Sequence, residues 1–144
     1  MNRKKELLES YPAQADQIVR WGDMDALNHV NNIMYFRYFE AGRLEYLAKC
    51  GFDFKATLAV GPVLGETTCQ FIIPVTFPDT LTVAIKVVDV KPDRITMEQV
   101  IYSEQHDAIA AKGSAVMVWF DYKKGCKAAL SDEVIAAIQL LEKN

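Results

Sequence analysis

The sequence predicts an α+β fold: a five-stranded antiparallel sheet wrapped around one long helix, with a second helix at the C-terminus, in a single domain over residues 1–144. Three observations predict it. Between residues 32 and 50, Tyr35, Tyr38, Phe39, Gly42 and Tyr46 recur at three- and four-residue spacing, which places them on one face of a helix. From residue 63 to 122 the chain runs in β-branched stretches separated by short Pro-, Asp- and Gly-bearing turns, and short turns force antiparallel pairing. One further apolar stretch precedes the helix, so the order is strand, helix, four strands.

The elements follow in order. Residues 3–10 suit a turn or two of helix, ended by Pro12. Residues 14–21 suit the first strand, with Ile18, Val19 and Trp21 as its apolar content. Residues 22–28 hold two Asp, a Gly and an Asn, which is turn chemistry. Asn31 is placed to cap the long helix, and Gly51 to end it in the left-handed conformation. Gly42 sits mid-helix, where glycine costs about 1 kcal/mol relative to alanine; close approach of another element would offset that cost. A loop of some twelve residues leads to a strand over 63–73, where Pro74 and Pro78 mark an exit from the sheet. Strands over 80–91, 94–104 and 109–122 follow, turned at Pro92-Asp93 and His106-Asp107. Lys124-Gly125 turns the chain into a last helix over 131–141, capped by Ser131. The strands at 80–90 and 109–120 are apolar on both faces, as with Leu81, Val83, Ile85 and Val87 against Ala84, Val88 and Val90. One helix covers one face only, so the other is expected to meet a second subunit.

Composition excludes several classes. With 51% hydrophobic and 24% charged residues the chain can bury a core, which excludes disorder. A net charge of −3 with no long basic run excludes nucleic acid as a partner. No apolar run reaches the roughly 18 residues of a membrane helix, and the basic N-terminus lacks the apolar stretch of a signal peptide. The expected location is cytoplasmic. Three cysteines without CxxC spacing give neither a disulfide framework nor a zinc site.

Chemistry concentrates in one segment. His106 falls in a hairpin turn, whereas His29 lies between the acidic loop and the helix start. Asp23 and Asp25 flank the same place, and a helix N-terminus favours an ionised carboxylate, a competent base or nucleophile. The backbone N–H groups of Asn31, Asn32 and Ile33 are expected to point out of the helix start, suited to a developing oxyanion. A carboxylate, a histidine and orphan donors within ten residues suit acyl transfer. No G-x-S-x-G, P-loop or G-x-G-x-x-G occurs, and Cys69 has no basic partner in sequence. Asp23, Asp25 and His29 lack a second histidine for a metal site, so no metal and no cofactor is expected.

The run Trp21-Gly22-Asp23-Met24-Asp25-Ala26-Leu27-Asn28-His29-Val30-Asn31-Asn32, followed by Tyr35 and Phe39-Glu40-Ala41-Gly42-Arg43, resembles the signature of the 4-hydroxybenzoyl-CoA thioesterase-like family of hotdog-fold acyl-CoA thioesterases. Gly65 to Phe71, Pro74 to Asp79 and Val118 to Tyr122 also resemble it, so the likeness covers roughly residues 14–135. The resemblance implies a hotdog fold and hydrolysis of an acyl-CoA thioester. It implies a homodimer or a dimer of dimers, with active sites where two chains meet. It assigns catalysis to Asp25, as nucleophile or as base for water, with Asn32 supplying the oxyanion N–H and His29 beside them. Asn31, Tyr35 and Tyr38 would contact the substrate, and Arg94, with Lys91 or Lys112, the CoA phosphates. Asn28 stands where the family's branch often has Gly, and Leu27 replaces the Asn of the acyl carrier protein branch. Glu40 and Glu45, on the helix, are read as structural or interfacial. The rival readings are a hotdog dehydratase of 3-hydroxyacyl-CoA and a non-catalytic acyl-CoA binder.

Overall fold

A computed structural model describes residues 2–143. Its elements are α1 (Arg3–Leu8), β1 (Ala13–Ile18), a 3-10 turn (Trp21–Asp23), α2 (Asn32–Lys49), β2 (Val60–Thr67), β3 (Gln70–Phe71), β4 (Thr80–Lys91), β5 (Arg94–Ser103), β6 (Ala108–Asp121), β7 (Cys126–Lys127) and α3 (Asp132–Glu142). The sheet runs β1-β4-β5-β6-β2, with β3 and β7 as short additions on β6. Every pairing is antiparallel. This is the expected α+β hotdog: a five-strand path curled round α2, plus the C-terminal helix.

Helix α2 is long because both ends are capped as its sequence predicts. Asn31 Oδ1 accepts from the Ile33 N–H, and Gly51 takes φ +96° past the last turn. Its inner face buries Tyr35, Phe39 and Tyr46 against the sheet. Gly42 is where helix and sheet touch: a Cβ there would lie 2.6 Å from Val83 Cγ1 and 2.9 Å from Ile85 Cγ1. Helix α3 starts at Ser131, whose Oγ accepts from the Val134 N–H, and buries Val134 and Ile138. Its Glu142 carboxylate accepts from the Tyr46 hydroxyl and the Val87 N–H, closing the far end of the core.

Several features depart from expectation. Strand β1 stops at Ile18, because Asp23 accepts from the Arg20 N–H and draws the chain into the 3-10 turn. Trp21 therefore lies outside the strand, 78% exposed. The stretch expected as one strand over 63–73 begins at Val60 and breaks after Thr67. Pro62 is tolerated within it because β2 ends the sheet order. The outer sheet face, expected to await a second subunit, is partly covered within the chain. Leu8 and Tyr11, on and just after α1, pack with Ala84, Val100 and Tyr102. Val88 remains 56% exposed on that face. The short strand β7 carried no periodic signal in its two residues.

Candidate active site

The loop between β1 and α2 is a tied structure. Asp23, buried, accepts at Oδ2 from the Arg20 N–H (3.0 Å) and from the Tyr38 hydroxyl (2.6 Å). Its carbonyl accepts from the Asn31 N–H at 2.9 Å. Burial, then the bond to Asp23 and its charge, pushes the Tyr38 hydroxyl far above the usual tyrosine range. Met24 and Val30 form an antiparallel bridge. Inside it, the Asp25 N–H donates to the His29 carbonyl at 2.8 Å, and Asn28 turns the chain at φ +63°.

That turn sets Asp25. Its Oδ1 accepts from the Leu27 N–H at 2.8 Å and more weakly from the His29 N–H at 3.5 Å. Among the described residues no hydrogen bond takes Oδ2. The helix start behind it offers fewer donors than three. The Asn31 N–H is taken by Asp23, and the Ile33 N–H by the Asn31 cap. The Asn32 N–H donates to no acceptor among the described residues, and it sits at the positive end of an 18-residue helix.

Asp25, His29 and Asn32 line one cleft of about 340 Å³. Tyr35 forms its floor; its hydroxyl accepts from the Val75 N–H at 3.1 Å, and burial pushes its pKa up. Phe71 stands edge-on to Tyr35, ring centroids 4.9 Å apart at 89°. Phe71, Ile72 and Pro74 make the far wall. None of these three was assigned to the site from sequence; the signals were Pro74, read as an exit from the sheet, and the family-like stretches that contain Phe71 and Pro74. Its apolar lining is exposed, Leu27 77% and Ile72 49%, and Ile33, next to Asn32, is 73% exposed.

The other expected contacts lie elsewhere. Tyr38 is buried beneath the loop with its hydroxyl on Asp23 and does not line the cleft. The Asn31 side chain is taken by the helix cap. Arg94 pairs with Asp93 at 3.0 Å and borders a separate cleft with Glu66 and Lys127. His106 is exposed in its hairpin. Among the described residues no three His, Cys, Asp or Glu side chains form a metal-holding group, and no helix is long and apolar enough to cross a membrane.

Asp25, with one carboxylate oxygen free of hydrogen bonds among the described residues, and Asn32, with its helix N-terminal N–H equally free, line the same cleft. Such a pair can activate a nucleophile and hold the negative charge that forms on a carbonyl oxygen. Residues 19–138 match the family model described as the thioesterase-like superfamily. A chloroplastic acyl-acyl carrier protein thioesterase of Arabidopsis thaliana is 30% identical over 109 residues, 73% of this chain and 56% of that enzyme. The chain thus spans little more than half the length of that relative. Among solved structures, a Thermus thermophilus thioesterase complexed with coenzyme A and zinc superposes with TM-score 0.84 at 26% identity, over 95% of this chain and 98% of that one. The PA2801 protein of Pseudomonas aeruginosa gives 0.81 at 28% identity, over 89% and 98%.

Proposed function

We propose that this chain, which belongs to the thioesterase-like superfamily, hydrolyses an acyl-CoA thioester to the free acid and CoA. The observation that carries the reading is the shared cleft of Asp25 and Asn32, each with one group free of hydrogen bonds among the described residues. The thioester carbonyl oxygen accepts from the Asn32 N–H. Asp25 Oδ2 then attacks the carbonyl carbon, or takes a proton from the water that attacks. The tetrahedral oxyanion stays on the Asn32 N–H, and its collapse breaks the C–S bond. In the attack route water then hydrolyses the Asp25 mixed anhydride to the free acid and supplies the proton that the CoA thiolate takes up. In the water route Asp25 passes the proton it took to the departing thiolate, with His29 on the same cleft as a hydrogen-bond partner for it. The acyl group runs from Tyr35 along Phe71 and Ile72.

The exposed apolar lining supports a second copy as the missing cover, and β2, unpaired on its outer side, supplies an edge for it to join. Arg94, turned away and paired with Asp93, is left out of this site. The Arabidopsis relative favours acyl carrier protein as a second thiol carrier to test.

The test is Asp25→Asn, which keeps the acceptor for the Leu27 N–H. Thiol release is followed from acyl-CoA and acyl carrier protein thioesters. The expected result is a loss of about 10²-fold or more in kcat, with folding and oligomeric state unchanged. A folded variant that cleaves at near the wild-type rate sinks the assignment.

A further inference from the structure

Gln99 lies on the inner face of β5 with none of its surface exposed. Its Nε2 donates to Thr67 Oγ1 at 2.9 Å, to the Ser114 carbonyl at 3.0 Å and to the Thr68 carbonyl at 3.2 Å. It reaches them by crossing over its register partner on β6, Gly113. A Cβ at Gly113 would fall 1.9 Å from the Thr68 oxygen, so the Thr68 backbone occupies the space a side chain would need. This is where the edge chain leaves the β2 ladder, to rejoin at Gln70. On its other side, Gln99 Oε1 accepts from Arg43 of α2 at 3.0 Å.

Arg43 makes this bond notable. It is only 6% exposed, and among the described residues no carboxylate lies within ion-pair distance of it. Burial pulls its pKa down. A buried cation without a direct ion pair is costly, the charge of Glu40 offsets the burial only in part, and among the described residues its one side-chain hydrogen bond is to the amide that holds the strand break. Packing alone would be met by an apolar pair at these two positions.

The chain beyond the break is the wall of the cleft. Gln70 and Phe71 follow Thr68 by two and three residues, and Phe71 meets Tyr35 edge-on. We infer that Arg43 and Gln99 are positioning residues for the acyl-binding wall: they fix the Thr68 break, and through it the place of Phe71, without touching the substrate. The inference rests on the thioesterase reading for its kinetic arm. It assigns acyl-group recognition to a polar lock that does not itself line the cleft.

The informative variant is Gln99→Glu. Its carboxylate compensates Arg43 but cannot donate to the Thr68 and Ser114 carbonyls, so the helix side is kept and the wall side released. Amide hydrogen exchange over residues 67–73 should quicken by about tenfold while the core strands keep their protection. KM for the acyl thioester should rise by about fivefold with kcat within about twofold. Unchanged exchange over 67–73, or a fall in kcat at constant KM, overturns the inference. Should Gln99→Glu fail to fold, Thr67→Val removes one acceptor from the lock and should move both readouts the same way; no movement in either overturns it. If the wild type cleaves no thioester, the functional reading fails, and the exchange arm still decides whether the lock holds the wall.

Discussion

The Tyr38 hydroxyl donates to Asp23 at 2.6 Å, two residues before the carboxylate that opens on the cleft. The two aspartates of the motif therefore do different work. Asp23 anchors the loop to α2, and Asp25 is left with a free oxygen. Tyr38→Phe leaves the buried Asp23 with the Arg20 N–H as its remaining partner at Oδ2. A hydrogen bond to a charged group contributes about 1.5–3 kcal/mol, so Tyr38→Phe should lower unfolding stability by that much. Urea denaturation measures it, and a loss below about 0.5 kcal/mol would contradict the anchoring role.

Gly42 gives a second prediction, in which two effects oppose. Alanine is the better helix former by about 1 kcal/mol. Its Cβ, however, would meet Val83 Cγ1 at 2.6 Å in a fully buried, β-branched side chain with nowhere to turn. Overpacking of this kind costs about 1–3 kcal/mol, so Gly42→Ala should be net destabilising or at best neutral. Adding Val83→Ala should make the Gly42→Ala change favourable, which a double-mutant cycle on thermal unfolding would register.

The third concerns pH. Burial pushes the Glu98 carboxyl up, but the Tyr11 hydroxyl bonded to it and the lysines Lys86 and Lys112 outweigh that, so its pKa is held below the usual range. A carboxylate with a depressed folded pKa adds stability that is present above its unfolded value, about 4.3, and is lost as pH falls through the folded one. Unfolding midpoints should drop from pH 5 toward pH 3, and Glu98→Gln should flatten that slope. An identical slope in the variant would remove Glu98 from the acid response.

Periodicity and caps made most of this fold legible. The aromatic stripe, Asn31 and Gly51 located α2, and β-branched runs located β4, β5 and β6. Hidden from sequence were features made by distant contacts. The break after Thr67 needs Gly113, some 46 residues away and silent in the local pattern. The covering of Ala84 and Val100 by α1 needed knowledge of which way a short helix folds back. At the site, Asp25, His29 and Asn32 were readable because they adjoin in sequence, and the structure gathers them in one cleft. Tyr38 was read as a substrate contact from its place on the stripe, yet the stripe turns by about 100° per residue, and Tyr38 faces the loop where Tyr35 faces the cleft. Phe71 was not assigned to the site because a two-residue strand carries no period to show which way it faces.

The tie from Val30 through Val75 to Tyr35 also decides when disorder is removed. The Val30 N–H donates to the Val75 carbonyl, and the Val75 N–H to the Tyr35 hydroxyl, so loop, crossing segment and helix lose their freedom together as the chain folds. Fixing a residue's backbone costs about 1–2 kcal/mol. Here the bonds that do the ordering are internal to the chain, so under the proposed function the floor of the cleft needs no ligand to hold its shape.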